Sequence, residues 1–334
     1  MLLLGIETSC DETAAAVLQD EQQLLANVVL SQGIHKDFGG VVPELASRTH
    51  IKTLIPIIRE ALAEARIELK DLDAVAVTSG PGLVGSLLVG LSVAKSLAFS
   101  LDIPFVGVNH IEGHIFANFL EHPSLKPPLL HLIVSGGHTQ LIYQPEMGQY
   151  EILGQTLDDA AGESFDKVAK MLEIGYPGGP EIDRLSVAGD AQYAKFPRAY
   201  LRKGSLDFSF SGLKTAVLNF LDPLPAEQIQ AHLADIAASF QAAVVEVLVN
   251  KCFLAADRKG VEHIAVAGGV ACNSQLRADL KRRAEELGVE IFYPSPLLCT
   301  DNAAMIASAG FFHLQRGEES GLDLNAVANI GLVG

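Results

Sequence analysis

Apolar residues in this chain fall into short continuous blocks, separated by clusters of small and polar residues, with helical periodicity in between. Residues 2–7 predict a strand, 8–13 a turn and 14–18 a second strand, so the chain opens with a hairpin. Residues 24–30 predict a third strand. Residues 44–65 have a helical stripe through Leu45, Ile51, Leu54, Ile58 and Leu62, which Pro56 is expected to kink or break. A strand at 74–78, a tight turn at 79–82, a helix at 83–99 and a strand at 103–108 follow.

The same order then recurs. Strands at 130–134 and 139–143 flank the turn Ser135-Gly136-Gly137-His138, and 150–155 predicts another strand. Asp158 or Asp159 is expected to cap a helix running to about Leu172. After a long insertion come a strand at 263–267, a glycine turn, a helix at 273–287, a short strand at 291–293 and a helix capped by Thr300 or Asp301. This internal duplication predicts two α/β lobes, 1–108 (with the 315–334 tail) and 109–314, the second carrying an insertion around 173–225. Two such lobes are expected to bring their polar hairpin turns to a shared cleft, where hydroxyls and backbone N–H groups suit phosphate oxygens.

Composition narrows the class. Hydrophobic residues make up 49%, enough for a substantial core and against disorder. The four cysteines, Cys10, Cys252, Cys272 and Cys299, lie far apart with no C-x-x-C, which suits a reducing compartment. The opening M-L-L-L-G-I-E has no basic region and does not read as a signal peptide. The apolar stretch 83–99 contains Lys95 and three serines, so a buried helix is expected there and not a membrane span. A net charge of −16 opposes nucleic-acid binding through the overall field, so any RNA contact must be local or shared with a partner.

Candidate chemistry centres on N-H-I-E-G-H at 109–114. Asn109 with Glu112 three residues on is a capping-box pattern that starts a helix directly after a strand. His110 and His114 then share one helical face and can hold one transition metal, or serve as ordinary core histidines. The order H-x-E-x-H puts Glu112 about 200° round the helix from His110, which disfavours the zinc-peptidase arrangement and leaves Glu112 as a cap. Gly113 inside the motif implies that something packs closely there. G-P-G-L-V-G at 80–85 matches the dinucleotide fingerprint, but no acid ends the next strand, so an NAD site is disfavoured; no phosphate-loop lysine follows either.

These residues resemble one family closely. G-I-E-T-S-C-D-E-T-A (5–14), S-G-P-G-L-V-G-S-L-L-V-G (79–90), N-H-I-E-G-H (109–114), L-I-V-S-G-G-H-T-Q (132–140), L-D-D-A-A-G-E-S-F-D-K-V (157–168), G-Y-P-G-G-P (175–180), A-G-G-V-A-C-N (267–273) and T-D-N-A-A-M (300–305) look like the TsaD family. The resemblance spans nearly the whole chain. It implies two duplicated ribonuclease H-like lobes of the actin/Hsp70/sugar-kinase type around a central cleft. The implied reaction moves a threonylcarbamoyl group from threonylcarbamoyl-AMP to N6 of the adenosine beside the anticodon, in tRNAs reading codons that begin with A. Family metal ligands map onto His110, His114 and Asp301, with Fe(2+) or Zn(2+) as the ion. Substrate contacts map onto Ile133, Val134, Ser135, Gly136, Gly137, Asp166, Gly179, Asp183 and Asn273. Some relatives carry a metal-binding Tyr where Ile133 stands, and Ile133 cannot ligate. Taken alone, Asp301 and Asn273 read equally as helix caps and Asp166 as surface charge.

Asp11 and Glu12, in the first hairpin turn, are candidate bases for the N6 proton. The resemblance also implies a TsaB-like paralogue and a TsaE-like ATPase as partners, and a cytoplasmic protein with no membrane contact. Two rival readings are a metallopeptidase or phosphotransferase on this fold and a non-catalytic nucleotide-binding scaffold. The insertion adds an expected tRNA docking surface at 195–214. There Lys195, Arg198, Arg202, Lys203 and Lys214 are interleaved with Phe196, Tyr200, Phe208 and Phe210.

Overall fold

A computed structural model describes residues 1–332. The chain divides into two units, Met1–Leu125 with the returning segment from Pro294, and Lys126–Tyr293. The first unit therefore takes in 109–125 and 294–314, which the pattern of repeats placed in the second lobe.

The first unit is built on a five-stranded sheet ordered β3-β2-β1-β4-β5. Strands β1 (Leu2–Glu7) and β2 (Glu12–Gln19) bury nearly every residue on both faces, as central strands do, while β3 (Gln23–Ser31) is half exposed. These three are antiparallel. Helix α1 (Pro43–Ala65) crosses to β4 (Ala74–Gly80), and α2 (Val84–Leu101) crosses to β5 (Phe105–Asn109), both parallel to β1. On one face Leu4, Ile6, Val17, Val75 and Val77 pack with Leu54, Ile58 and Leu91. Each such side chain contributes about 1.5–3 kcal/mol relative to exposure.

Pro56 does not end α1, which runs through it unbroken. Proline leaves one carbonyl of the preceding turn without its donor, and Pro56 lies on the exposed face, where water can serve instead. The buried stripe also differs from the expected one. It runs through Ala46, His50, Leu54, Ile57, Ile58, Ala61 and Leu62, leaving Leu45 and Ile51 outside. Helix α3 (His110–Glu121) follows β5 directly.

The second unit repeats the plan, with order β10-β9-β6-β7-β8. Strands β6 (Leu129–Val134), β7 (Thr139–Glu146) and β8 (Gln149–Gln155) form the antiparallel part. Helices α4 (Ala161–Met171), α5 (Gly178–Ser186), α6 (Ser211–Leu221), α7 (Ala226–Ala231) and α8 (Leu233–Lys259) come next. Strand β9 (His263–Ala267), helix α9 (Ser274–Leu287) and β10 (Glu290–Phe292) complete the sheet in parallel. The 27-residue α8 was not expected. It is buried on most of its circumference, so its sequence carries no amphipathic stripe.

Neither Asp158 nor Asp159 caps α4. Asp158 Oδ1 instead accepts the N–H groups of Phe210 (2.8 Å) and Ser211 (3.2 Å) at the start of α6. Asp159 pairs with Lys167 (2.6 Å) and Lys214 (3.1 Å). Thr139 Oγ1 takes the cap's place at α4, accepting Ala161 N at 2.8 Å.

The chain then returns to the first unit through α10 (Pro296–Cys299) and α11 (Ala303–Gln315). Helix α11 lies against β1, β2 and β4 and packs along α3. Glycine permits the approach: a Cβ at Gly5 would strike the Ala303 carbonyl, and one at Gly113 would lie 2.7 Å from Ile306 Cδ1. The close packing expected at Gly113 is there. Among the described residues two helices, α2 and α8, are long and apolar enough to cross a membrane by length and composition. Both pack on their own unit, α8 buried round most of its circumference and α2 along one side.

Candidate functional site

Strand β5 ends at Asn109, whose Oδ1 accepts the N–H groups of Ile111 (2.9 Å) and Glu112 (3.4 Å) and so caps α3. Its Nδ2 donates to the Gly331 carbonyl at 3.1 Å. The cap is the predicted one, but the Glu112 carboxylate has a further partner, His313 Nε2 at 2.7 Å. Starting the helix here sets His110 and His114 one turn apart, their rings edge to face with centroids 4.8 Å apart. Both are buried.

Asp301 stands between α10 and α11. Neither Thr300 nor Asp301 caps α11. Asn302 does, through Oδ1 accepting Met305 N at 3.1 Å. Asp301 Oδ1 instead lies 3.2 Å from His114 Nε2 and 3.6 Å from His110 Nε2. One ligand atom from each of the three residues falls within 4.8 Å of the others. Ligands about 2.1 Å from a tetrahedral ion lie about 3.4 Å from one another, which the two distances from Asp301 Oδ1, 3.2 and 3.6 Å, match. Buried His114 makes no hydrogen bond through either ring nitrogen, and its Nε2 faces the Asp301 carboxylate, which leaves that lone pair available to an ion. The donor set, two imidazoles and one carboxylate with room for further ligands, suits iron or zinc chemistry.

The surroundings are acidic. Glu7, fully buried at the end of β1, has Oε2 3.1 Å from His110 Nδ1 and accepts Thr78 Oγ1 at 2.6 Å; its Oε1 accepts Ser9 N. Ser9 Oγ is 3.2 Å from the same His110 nitrogen. Burial alone would lower the basicity of His110, but the negative charges of Asp301 and Glu7 outweigh it and raise its pKa to about 9. Glu12, at the start of β2, is pushed well above the usual carboxylate range by burial and then by Asp301 and Asp11. So many carboxyl groups at one point favour a cation there. Asp11 is half-buried in the turn, and its carbonyl accepts Gln32 N at 3.1 Å. His50 holds that turn from below, with Nε2 2.8 Å from the Cys10 carbonyl and Nδ1 2.8 Å from Thr13 Oγ1.

Within the second unit the expected substrate residues lie at the end of β6 and in the turn after it, on α4 and α5, and at the start of α9. Ile133 and Val134 are buried in β6, and the exposed turn at Gly136 and Gly137 follows. A Cβ on either of these glycines would meet nothing within 4 Å. Ser135 Oγ accepts His138 N (3.1 Å), and its carbonyl accepts Gly162 N (3.2 Å) at the start of α4. Asp166 Oδ1 accepts Gly178 N at 2.7 Å, tying α4 to α5 beside the open Gly179. Asp183 accepts Ser274 N (3.0 Å) and Ser274 Oγ (2.8 Å). Asn273 caps α9 through Leu276 N (2.9 Å). Gln241 of α8, absent from the predicted set, joins the last two: its Nε2 donates to Asp183 (3.0 Å) and its Oε1 accepts from Asn273 (2.7 Å).

The insertion differs from its expected role. Phe196, Phe208 and Phe210 are buried, so they pack the unit and cannot stack on bases. Arg198 is paired with Glu246 and Lys214 with Asp159. Tyr200, Lys195, Arg202 and Lys203 remain exposed. In the first unit Ile57 belongs to the core, whereas Ile51, Ile55, Leu88 and Phe99 of α1 and α2 are exposed.

The model of the TsaD family, described as tRNA N6-adenosine threonylcarbamoyltransferase, matches residues 23–308. A protein of that description from Clostridium beijerinckii is 54% identical over 332 residues, covering 99% of this chain and 98% of the relative. One from Clostridium perfringens is 53% identical over the same shares. Solved structures share the fold at lower identity. Component A of (R)-2-hydroxyglutaryl-CoA dehydratase from Acidaminococcus fermentans aligns with a TM-score of 0.58 at 18% identity, over 95% of this chain and 98% of that one. HypF from T. kodakarensis aligns at 0.63 and 16% identity, over 97% of this chain and 49% of its own. By the family match and by these near-full-length relatives, the chain belongs to the TsaD family of tRNA N6-adenosine threonylcarbamoyltransferases.

Proposed function

We propose that this chain transfers the threonylcarbamoyl group from threonylcarbamoyl-AMP to N6 of the adenosine beside the anticodon of tRNA, at a centre that uses Fe(2+) or Zn(2+). The observation that carries the reading is the triangle of His110, His114 and Asp301 in a family member. The donor is a mixed carbamic–phosphoric anhydride. The N6 nitrogen attacks the carbamoyl carbon, the bond from that carbon to the phosphate oxygen breaks, AMP departs, and the N6 proton passes to a base. When bound, the metal supplies Lewis acidity and a fixed position for the reacting group. Of the two turn acids, Glu12 is the one whose hold on a proton is strengthened, by burial and then by the charges of Asp301 and Asp11, as a proton acceptor requires. Asp11 adds negative charge beside it.

On the second unit, the N–H groups of Gly136 and Gly137 stand in an exposed turn and are suited to phosphate oxygens. Asp166 is suited to ribose hydroxyls. Gly179 leaves space for a flat base, and Asp183 and Asn273, locked by Gln241, shape the remaining wall. Ile133 offers no ligand atom. A TsaB-like paralogue and a TsaE-like ATPase are the expected partners in the cytoplasm, away from any membrane. The exposed apolar residues of α1 and α2 support a protein partner.

The test incubates chelator-treated protein, with and without these partners, with threonylcarbamoyl-AMP and unmodified tRNA. Mass spectrometry of the nucleosides then measures threonylcarbamoyladenosine. Product that depends on restored Fe(2+) or Zn(2+) supports the reading. Protein cleavage without nucleoside product would replace it with the peptidase reading.

A further inference from the structure

Glu7 lies outside the metal triangle and bears on it through one atom. Its carboxylate is sealed from solvent and accepts from Thr78 Oγ1 at 2.6 Å and from Ser9 N. A carboxylate so placed can only accept, so at the 3.1 Å contact with His110 Nδ1 the imidazole supplies the proton. An imidazole that binds an ion gives up one of its two protons, and fixing the remaining N–H at Nδ1 leaves the lone pair on Nε2. That is the atom 3.6 Å from Asp301.

From this juxtaposition we propose that Glu7 is a positioning residue for the metal centre: it holds His110 in the tautomer and orientation that present Nε2 to the ion, and is itself held by Thr78 and Ser9. The proposal rests on the metal reading above. A carboxylate behind a metal-bound imidazole fixes the ring and strengthens it as a ligand, and losing such a partner lowers metal affinity by about 10–100-fold. The three elements involved come together only in the fold. Glu7 ends β1, Thr78 lies in β4 and His110 opens α3.

The experiment measures Co(2+) affinity of metal-stripped full-length protein by competition with a chromophoric chelator, and records the visible ligand-field bands of the bound ion. Glu7→Gln keeps the shape but offers an amide where the carboxylate was. Its expected result is a 10–100-fold weaker affinity with altered bands and an unchanged far-ultraviolet circular dichroism spectrum. Thr78→Val removes one anchor of Glu7 without touching a histidine and is expected to weaken Co(2+) in the same direction, by less. If Glu7→Gln does not fold, Thr78→Val alone decides. Wild-type affinity and bands in the folded variants overturn the proposal. His114→Ala serves as the control: if it too keeps wild-type affinity, it is the metal site that has failed, and not the role of Glu7.

Discussion

His313 of α11 is held between two acids, with Nε2 2.7 Å from Glu112 and Nδ1 2.6 Å from Glu318. Burial opposes its charge, but the hydrogen bonds and charges of Glu112 and Glu318 win and raise its pKa from 6.5 to about 9. The folded protein therefore binds this proton more tightly than the unfolded chain. The resulting stability is fully present below pH 6.5 and is lost as pH rises through 9. At about 1.36 kcal/mol per unit, the difference between 6.5 and 9 sets a ceiling of about 3.4 kcal/mol. The imidazole is 21% exposed and Glu318 45%, so screening by water reduces this to about 1–2 kcal/mol. Urea unfolding of metal-free wild type and His313→Gln at pH 6, 7.5 and 10 measures it; removing the metal excludes its own pH linkage. The variant should be about 1–2 kcal/mol less stable at pH 6, with the gap mostly closed at pH 10. A gap that stays constant across this range would refute the reasoning, because it would trace to packing and not to the proton.

Three other outcomes follow from the geometry. His110→Ala, His114→Ala and Asp301→Ala should each lose bound metal while remaining folded, as read by elemental analysis and circular dichroism; full occupancy would contradict the ligand set. Asn302→Ala removes the cap of α11 and should cost about 1 kcal/mol in urea unfolding, whereas Thr300→Ala should have little effect. For the insertion, Arg202→Glu with Lys203→Glu should weaken tRNA binding by the assembled complex and flatten its salt dependence, leaving threonylcarbamoyl-AMP binding alone. Unchanged tRNA affinity at every salt concentration would remove the insertion from the docking surface.

Both sheets were legible because their strands are short apolar blocks bounded by turn residues, and the hairpin-first order repeats. The α3 cap was legible because Asn109 acts on N–H groups two and three residues away. What escaped depends on distance or on the absence of contrast. Helix α8 has apolar residues all round and looks like no face in particular. In α1, His50 is polar and falls off the apolar stripe in the sequence, yet it is buried because the turn at Cys10 and Thr13 satisfies it. Asp158 reads locally as a cap for α4, but its partners lie some fifty residues on. Glu7 reads as the polar end of a strand, since Thr78 and His110 are remote in sequence. The histidine pair was visible by spacing alone, whereas Asp301 and the residues of the second unit were reached only through family resemblance.

The first unit is discontinuous, and this orders events during synthesis. Its sheet and both histidines of the triangle leave the ribosome early, but α11 and Asp301 follow only after the whole second unit has been made. A nascent chain therefore carries two of the three residues of the triangle and an uncovered sheet face at Gly5, and it cannot close the triangle. The second unit is one continuous stretch and can fold as it emerges, so the lobe begun first is finished last. In the proposed metal centre, ion loading is then a late event, and a ribosome that stalls before residue 301 leaves a chain without the complete triangle.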